Sequence, residues 1–280
     1  MVFLIYKLLN NSYIVNNAHF DKLKVENMET LKIEYKENYA IVQLDNGKVN
    51  AIDTKLSKEL AATFRALEAD NDVKGVILTG RPHGFSAGLD VMSMAGGVKI
   101  ATEFWTHHLD MLQVLVRFSK PFVCAITGYA PAGGTILACC ADYRIMGIGE
   151  KHVIGMHEFK MSLPIPELLS RIYAYTIGER LGWKTVMNAQ LFTAEQAQKI
   201  GLVDEVTTVE AVLPLAERRL KKYMKVYLPM FAKTKRYLRR ELLEAVDMTV
   251  EEMLPEILED FKDKEFVQYV AAFMQSLKKK

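Results

Sequence analysis

The chain predicts an α/β fold closed by a helical C-terminal region, and three observations carry the prediction. Short apolar runs alternate with helically spaced apolar residues from Leu31 to Ile154. Beyond Pro166 the spacing is helical apart from the short run Val203-Asp204-Glu205-Val206. Finally, 280 residues, half of them apolar, can bury a large core without metal or disulfides.

The elements follow in order. Residues 1–27 lack clear periodicity and read as a poorly ordered N-terminal extension, outside the core. Leu31, Ile33 and Tyr35, then Ala40, Val42 and Leu44, alternate about Glu37-Asn38 and predict a β-hairpin. Leu56, Leu60, Phe64 and Leu67 recur at helical spacing, and Gly75 to Thr79 is a short buried strand. Phe104, His108, Met111, Leu115 and Phe118 mark a second helix. Pro121 to Thr127 reads as a strand, Thr135 to Cys140 as a short helix, and Tyr143 to Met146 and His152 to Ile154 as further strands. Phe266, Val270, Phe273 and Leu277 form the apolar stripe of a terminal helix. Residues 28–215 are therefore the core and 216–280 a helical C-terminal region.

Composition removes several function classes. A formal charge of +2, from 36 basic and 34 acidic side chains, gives no global field towards nucleic acid or anionic membrane. Cys124, Cys139 and Cys140 are odd in number and lack C-x-x-C spacing, which suits neither a disulfide framework nor a zinc site. His107-His108 lies on one helix, where neighbouring side chains point apart, so no metal site is expected. The start has no cleavage signal, and the first arginine is Arg65. The 21 uncharged residues from Pro121 to Ala141 are interrupted by Gly128-Tyr129-Ala130-Pro131-Ala132-Gly133-Gly134, which argues for a strand, a turn and a new helix rather than a membrane span. The expected location is cytoplasmic.

Two segments carry candidate chemistry. Phe85-Ser86-Ala87-Gly88-Leu89-Asp90 places small residues directly after a buried strand, and Gly128 to Gly134 reads as a turn opening a helix. Small residues allow close approach to the backbone, and amides at a helix start have no intrahelical acceptor. Two such turns could aim two N–H groups at one carbonyl oxygen, with the helix dipole adding positive potential. On spacing alone, two tight connections in a compact domain explain the glycines better.

These segments, together with Lys48-Val49-Asn50-Ala51-Ile52, Ala141-Asp142-Tyr143-Arg144-Ile145 and Leu191-Phe192-Thr193-Ala194-Glu195-Gln196-Ala197 continuing to Asp204, resemble the enoyl-CoA hydratase/isomerase (crotonase) family in family order, over about residues 30–210. The resemblance implies a crotonase-like spiral of ββα units, a C-terminal helical region used in homotrimer or hexamer assembly, and acyl-CoA substrates. Coenzyme A is then part of the substrate, and no other cofactor or metal is expected. By matching positions, the oxyanion-hole amides are those of Leu89 and Gly133. The substrate-contacting segment is Ser86, Ala87, Gly88, Leu89 and Asp90 with Gly133.

The side chains choose among the family's reactions. One of the two glutamates of the family's hydratases falls on Ile136, which cannot exchange a proton, whereas the other falls on Glu158. One retained carboxylate resembles the Δ3,Δ2-enoyl-CoA isomerases. Glu158 is then the single acid/base and Ile136 part of an apolar pocket wall. The alternatives are other acyl-CoA chemistry on the same fold, whether hydratase-like, decarboxylase or thioesterase, or a non-catalytic RNA-binding protein. That last reading rests on ten Lys or Arg residues with no acid from Arg218 to Arg240, interleaved with aromatics. Ten acids and two lysines follow from Glu241 to Glu265, which favours complementary helix faces within a trimer, or cations near the CoA phosphates, over a nucleic-acid surface. Asp90 reads as turn-fixing, and His157 as structural or pocket-lining.

Overall fold

A computed structural model describes residues 28–91 and 97–278, so the reading of residues 1–27 as an extension lies outside the described residues. The hairpin is present: β1 (Leu31–Tyr35) pairs antiparallel with β2 (Ala40–Leu44), Ile33 opposite Val42. Helix α1 (Thr54–Ala69) begins where the Asp53 side chain accepts from the Leu56 amide at 2.8 Å, satisfying one of the amides a helix start leaves unpaired. It buries Leu56, Leu60, Phe64 and Leu67, the four positions marked by spacing.

From β3 (Val76–Thr79) onwards the chain spirals. β3, β5 (Phe122–Ile126) and β7 (Tyr143–Ile148) are parallel neighbours in a six-stranded sheet of order β1-β2-β3-β5-β7-β10. Each is followed by a short strand in a second sheet: β4 (His83–Gly84), β6 (Gly128–Pro131) and β8 (Val153–Gly155). Helix α2 (Val98–Arg117) follows β4, and α3 (Gly133–Cys139) follows β6. Each turn of chain thus gives one strand to each sheet, the expected spiral of ββα units.

Adjacent residues on the large sheet face opposite layers, as the pleat requires. Leu78 and Cys124 join the main core with α1, α2 and α3, whereas Ile77 and Val123 join a second cluster under Val212, Ala216 and Leu220. Those three belong to α7 (Val209–Met224), which follows β10 (Glu205–Thr208). A boundary at 215/216 therefore falls inside a helix packed on the sheet. Between β8 and β10 lie α4 (Glu167–Ile177), α5 (Glu179–Met187), β9 (Phe192–Thr193) and α6 (Ala194–Lys199). The chain ends in α8 (Leu228–Leu238), α9 (Arg240–Ala245), α10 (Val250–Asp260) and α11 (Lys264–Lys278). Val270 of the terminal stripe is buried, while the side chain of Leu277 lies outside the described residues.

Two expectations are corrected. Gly128 to Pro131 is a strand, not a turn, because it pairs with β4 on one side and β8 on the other. The last strand lies at Glu205–Thr208 rather than at 203–206, because Asp204 bonds Arg144 instead, its Oδ2 accepting from the Arg144 amide at 2.8 Å. No helix among the described residues is long and apolar enough to cross a membrane.

The basic stretch is partly spent inside. Asp142 accepts from Lys235 at 2.8 Å and from Arg239 at 2.9 Å, and all three side chains are nearly buried. Arg239 also donates to the carbonyls of Val116 and Cys140, pinning the end of α8 to the core. Arg219 pairs with Glu205 and lies over the Tyr143 ring. These contacts account for three of the ten cations as internal ties.

Candidate active site

The site lies beyond the ends of three adjacent parallel strands. β4 pairs with β6 (Gly84 opposite Tyr129) and β6 with β8 (Pro131 opposite Gly155). Leu89 follows β4 by five residues, Gly133 follows β6 by two, and Glu158 follows β8 by three. The small sheet thus delivers three distant parts of the sequence to one place.

The Leu89 segment is held by the loop carrying Lys48 to Ile52. The Ala87 amide donates to Val49 O, Ile52 N to Gly88 O at 2.8 Å, and Asp90 N to Ile52 O at 2.9 Å. Those bonds use the groups on either side of Leu89 and, among the described residues, leave its own N–H without an acceptor. Ser86 is locked in by donating to Asn50 O at 2.7 Å, while its Oγ accepts from the Gly88 amide. Asn50, with φ of 50°, donates to Phe85 O at 2.9 Å. The sequence reading quoted Asn50 within a motif but gave it no task; here it braces the loop.

Gly88 adopts φ of 90°, a conformation that favours glycine. A Cβ on it would stand 3.1 Å from the Gly133 nitrogen, and one on Gly133 would stand 3.2 Å from the Leu89 nitrogen. The two amides are therefore neighbours. Gly133 opens α3, so its N–H has no intrahelical acceptor and sits at the positive end of the helix. Thr135 fastens that end to the second sheet: its hydroxyl donates to Ala130 O at 2.8 Å and accepts from the Gly155 amide at 2.8 Å.

Glu158 begins a single 3₁₀ turn (Glu158–Met161) and is 8 % exposed. Its Oε2 has no hydrogen-bond partner among the described residues. Burial pushes the carboxyl from its ordinary value up to about 7, against a smaller pull from the backbone amides of Glu158 and His157. Burial also lowers the adjacent His157 imidazole, whose Nδ1 is buried and unpartnered among the described residues. His108 is fully buried between Phe104 and Trp105, and burial holds its imidazole down at about 3, so it is a neutral core side chain.

Leu89 and Glu158 line one cavity of about 160 Å³. Its walls come from Trp105 and Leu109 on α2, Leu168 and Leu169 on α4, and Met253 and Ile257 on α10. Phe266 of α11 completes it. The helical wall was missed by sequence reasoning, which assigned the C-terminal helices to assembly; the apolar spacing of Met253, Ile257 and Phe261 was the available signal. Ile136 is not among the lining side chains; it is fully buried in the main core, one turn along α3 from Gly133. Its place is in packing rather than at the pocket surface. Ser86 and Gly88 are buried, and Ala87 and Asp90 are half-buried.

The fold is a two-sheet spiral whose small sheet brings two neighbouring amides and one buried carboxyl to the ends of its strands. The chain belongs to the enoyl-CoA hydratase/isomerase family, whose model matches residues 34–279. It is 33% identical over 189 residues to the mitochondrial enoyl-CoA delta isomerase 1 of Mus musculus, a match covering 67% of this chain and 65% of the mouse protein. The chain thus spans just under two thirds of that relative. A probable mitochondrial enoyl-CoA hydratase of Dictyostelium discoideum is 31% identical over 195 residues, covering 69% of each chain. Among solved structures, human mitochondrial Δ3-Δ2-enoyl-CoA isomerase superposes with a TM-score of 0.86 at 25% identity, over 90% of this chain and 99% of that one. All three are named as mitochondrial proteins, whereas the sequence reading expects a cytoplasmic location.

Proposed function

We propose that this chain is a Δ3,Δ2-enoyl-CoA isomerase, moving a C3–C4 double bond of an acyl-CoA to C2–C3. The observation that carries the reading is Glu158: a buried carboxyl with a pKa near neutrality, lining the same cavity as Leu89. The thioester oxygen would accept from the Leu89 and Gly133 amides. Glu158 would take a proton from C2, the negative charge would pass to that oxygen, and the same carboxyl would return the proton at C4. One base suffices because removal and return occur on one face.

The energetics support this division of labour. A carboxylate at its ordinary pKa is a weak base, and desolvation raises its basicity. Two fixed donors at the developing oxyanion supply the largest electrostatic contribution, each about 3–4 kcal/mol of barrier. The reading requires no cofactor, coenzyme A being part of the substrate. Assembly as a homotrimer or hexamer belongs to the same proposal, with the exposed Tyr227 and Leu238 side chains of the α8 region (75 % and 73 %) as candidates for burial.

The test is a 3-enoyl-CoA assay that follows the conjugated product, on the wild-type chain and on Glu158→Gln. Turnover by the wild type and a loss of about 10²-fold or more in the variant support the reading. Equal rates would remove Glu158 as the base, and no conjugated product from the folded wild type would remove the isomerase.

A further inference from the structure

We infer that Glu256 and Asp260 make this site select enoyl thioesters with an uncharged tail and reject those ending in a carboxylate, an inference that rests on the isomerase reading for its substrate. The cavity holding Leu89 and Glu158 runs without a break to α10, whose Met253, Glu256, Ile257 and Asp260 form one wall. Spacings of three and four residues set these side chains on one helix face, so apolar and acidic groups share the surface a tail would meet. No Lys, Arg or His is among the described residues lining the cavity.

Four carboxylates line it, and they differ in what they can do. Glu158 is committed to the proton transfer proposed above. Glu167 is offset by Arg171, which donates to it at 3.1 Å. Glu256 and Asp260 have no ion-pair partner among the described residues, so their field is not cancelled locally. Burial and the neighbouring Asp263, Glu256 and Glu259 raise the Asp260 carboxyl, as a locally negative field requires. An aliphatic tail meets apolar walls. An anionic tail is desolvated beside like charges with no cation to meet it, which is unfavourable on both counts.

The experiment compares 3-octenoyl-CoA, the mono-CoA thioester of 3-octenedioic acid, and the methyl ester of that diacid thioester. The wild type is expected to prefer the first over the diacid by about tenfold or more in kcat/KM, with the ester close to the aliphatic substrate; a like-charge contact in water alone accounts for about fivefold. In the double variant Glu256→Gln, Asp260→Asn the preference should shrink at least about fivefold, whatever the absolute rates. Glu256 is exposed, so Glu256→Gln alone is a second variant that does not disturb packing, and it should move the ratio in the same direction. Equal turnover of diacid and aliphatic substrates, rejection of the ester along with the diacid, or an unchanged ratio in the variants would each overturn the inference. If the wild type conjugates neither substrate, the isomerase reading fails, and the Kd ratio of octanoyl-CoA to the mono-CoA thioester of octanedioic acid, measured by calorimetry, tests the charge selection without turnover.

Discussion

Gly133 and Leu89 are packed so tightly that a single added carbon on Gly133 would lie 2.9 Å from Leu89 Cδ2 and 3.2 Å from the Leu89 nitrogen. Ile52 Cδ1 closes the third side at 3.1 Å. The space in front of the two amides is therefore kept by the absence of a side chain. Gly133→Ala keeps the N–H but puts a methyl group into that space, and kcat/KM should fall by about 10²–10³-fold, as much as if a donor were lost. Because Gly133 does not adopt positive φ, the melting temperature should fall less than for Gly88→Ala, whose φ of 90° strains any side chain. Kinetics and thermal unfolding on both variants separate the two effects.

The raised Glu158 carboxyl sets two pH dependences of opposite sense. As a base it must be ionised, so kcat/KM should rise with pH through about 7 and level off above it. Stability runs the other way. Between the ordinary carboxyl pKa and about 7 the folded chain binds the proton more tightly than the unfolded chain, so stability falls as pH rises through that window. The full cost is about 3 kcal/mol. Glu158→Gln should therefore be inactive yet gain stability relative to the wild type at pH 8 and not at pH 4, which denaturant titrations at the two pH values would reveal.

Asp142 holds two buried cations with one carboxylate. Asp142→Ala should destabilise the fold by about 3–5 kcal/mol, because Lys235 and Arg239 would be left without their counter-charge. Burial already pulls Lys235 down to about 8, so Lys235→Met should cost far less than removal of Asp142. Chemical denaturation of the two variants checks the ranking.

Ile136→Glu tests whether position 136 can host a second carboxylate. With no exposure in the wild type, the new side chain would be buried without a partner, and the fold should lose about 3 kcal/mol or more. Thermal unfolding gives that number, and a hydration assay on the folded fraction shows whether two-carboxylate chemistry appears.

The large sheet was legible at β3, β5 and β7, which are apolar runs of ordinary length, but not at its edge strand β10, whose Glu205-Val206-Thr207-Thr208 is only partly apolar. Helix α1 was legible because Leu56, Leu60, Phe64 and Leu67 have one reading only. The small sheet was legible only at β8, where His152 to Ile154 reads as a strand. Its strands are two to four residues long, and Gly128-Tyr129-Ala130-Pro131 carries turn residues that only pairing on both sides turns into a strand. Leu89, Gly133 and Glu158 are candidates only through motifs, because free amides leave no mark in composition. Ile136 was placed on the pocket surface by analogy of position, but the turn of α3 directs it into the core. The α10 wall was missed because an amphipathic helix at the end of a chain does not declare what it will cover.

A grip made of main-chain hydrogens has an evolutionary corollary. Nearly every coded substitution at Leu89 retains the donor, and proline alone deletes it. On the proposed isomerase reading, point mutation could then rewrite the groups overhanging an acyl unit without loosening the hold on its carbonyl. New reactions on this scaffold need only new neighbours for an anchorage that the genetic code can scarcely erase.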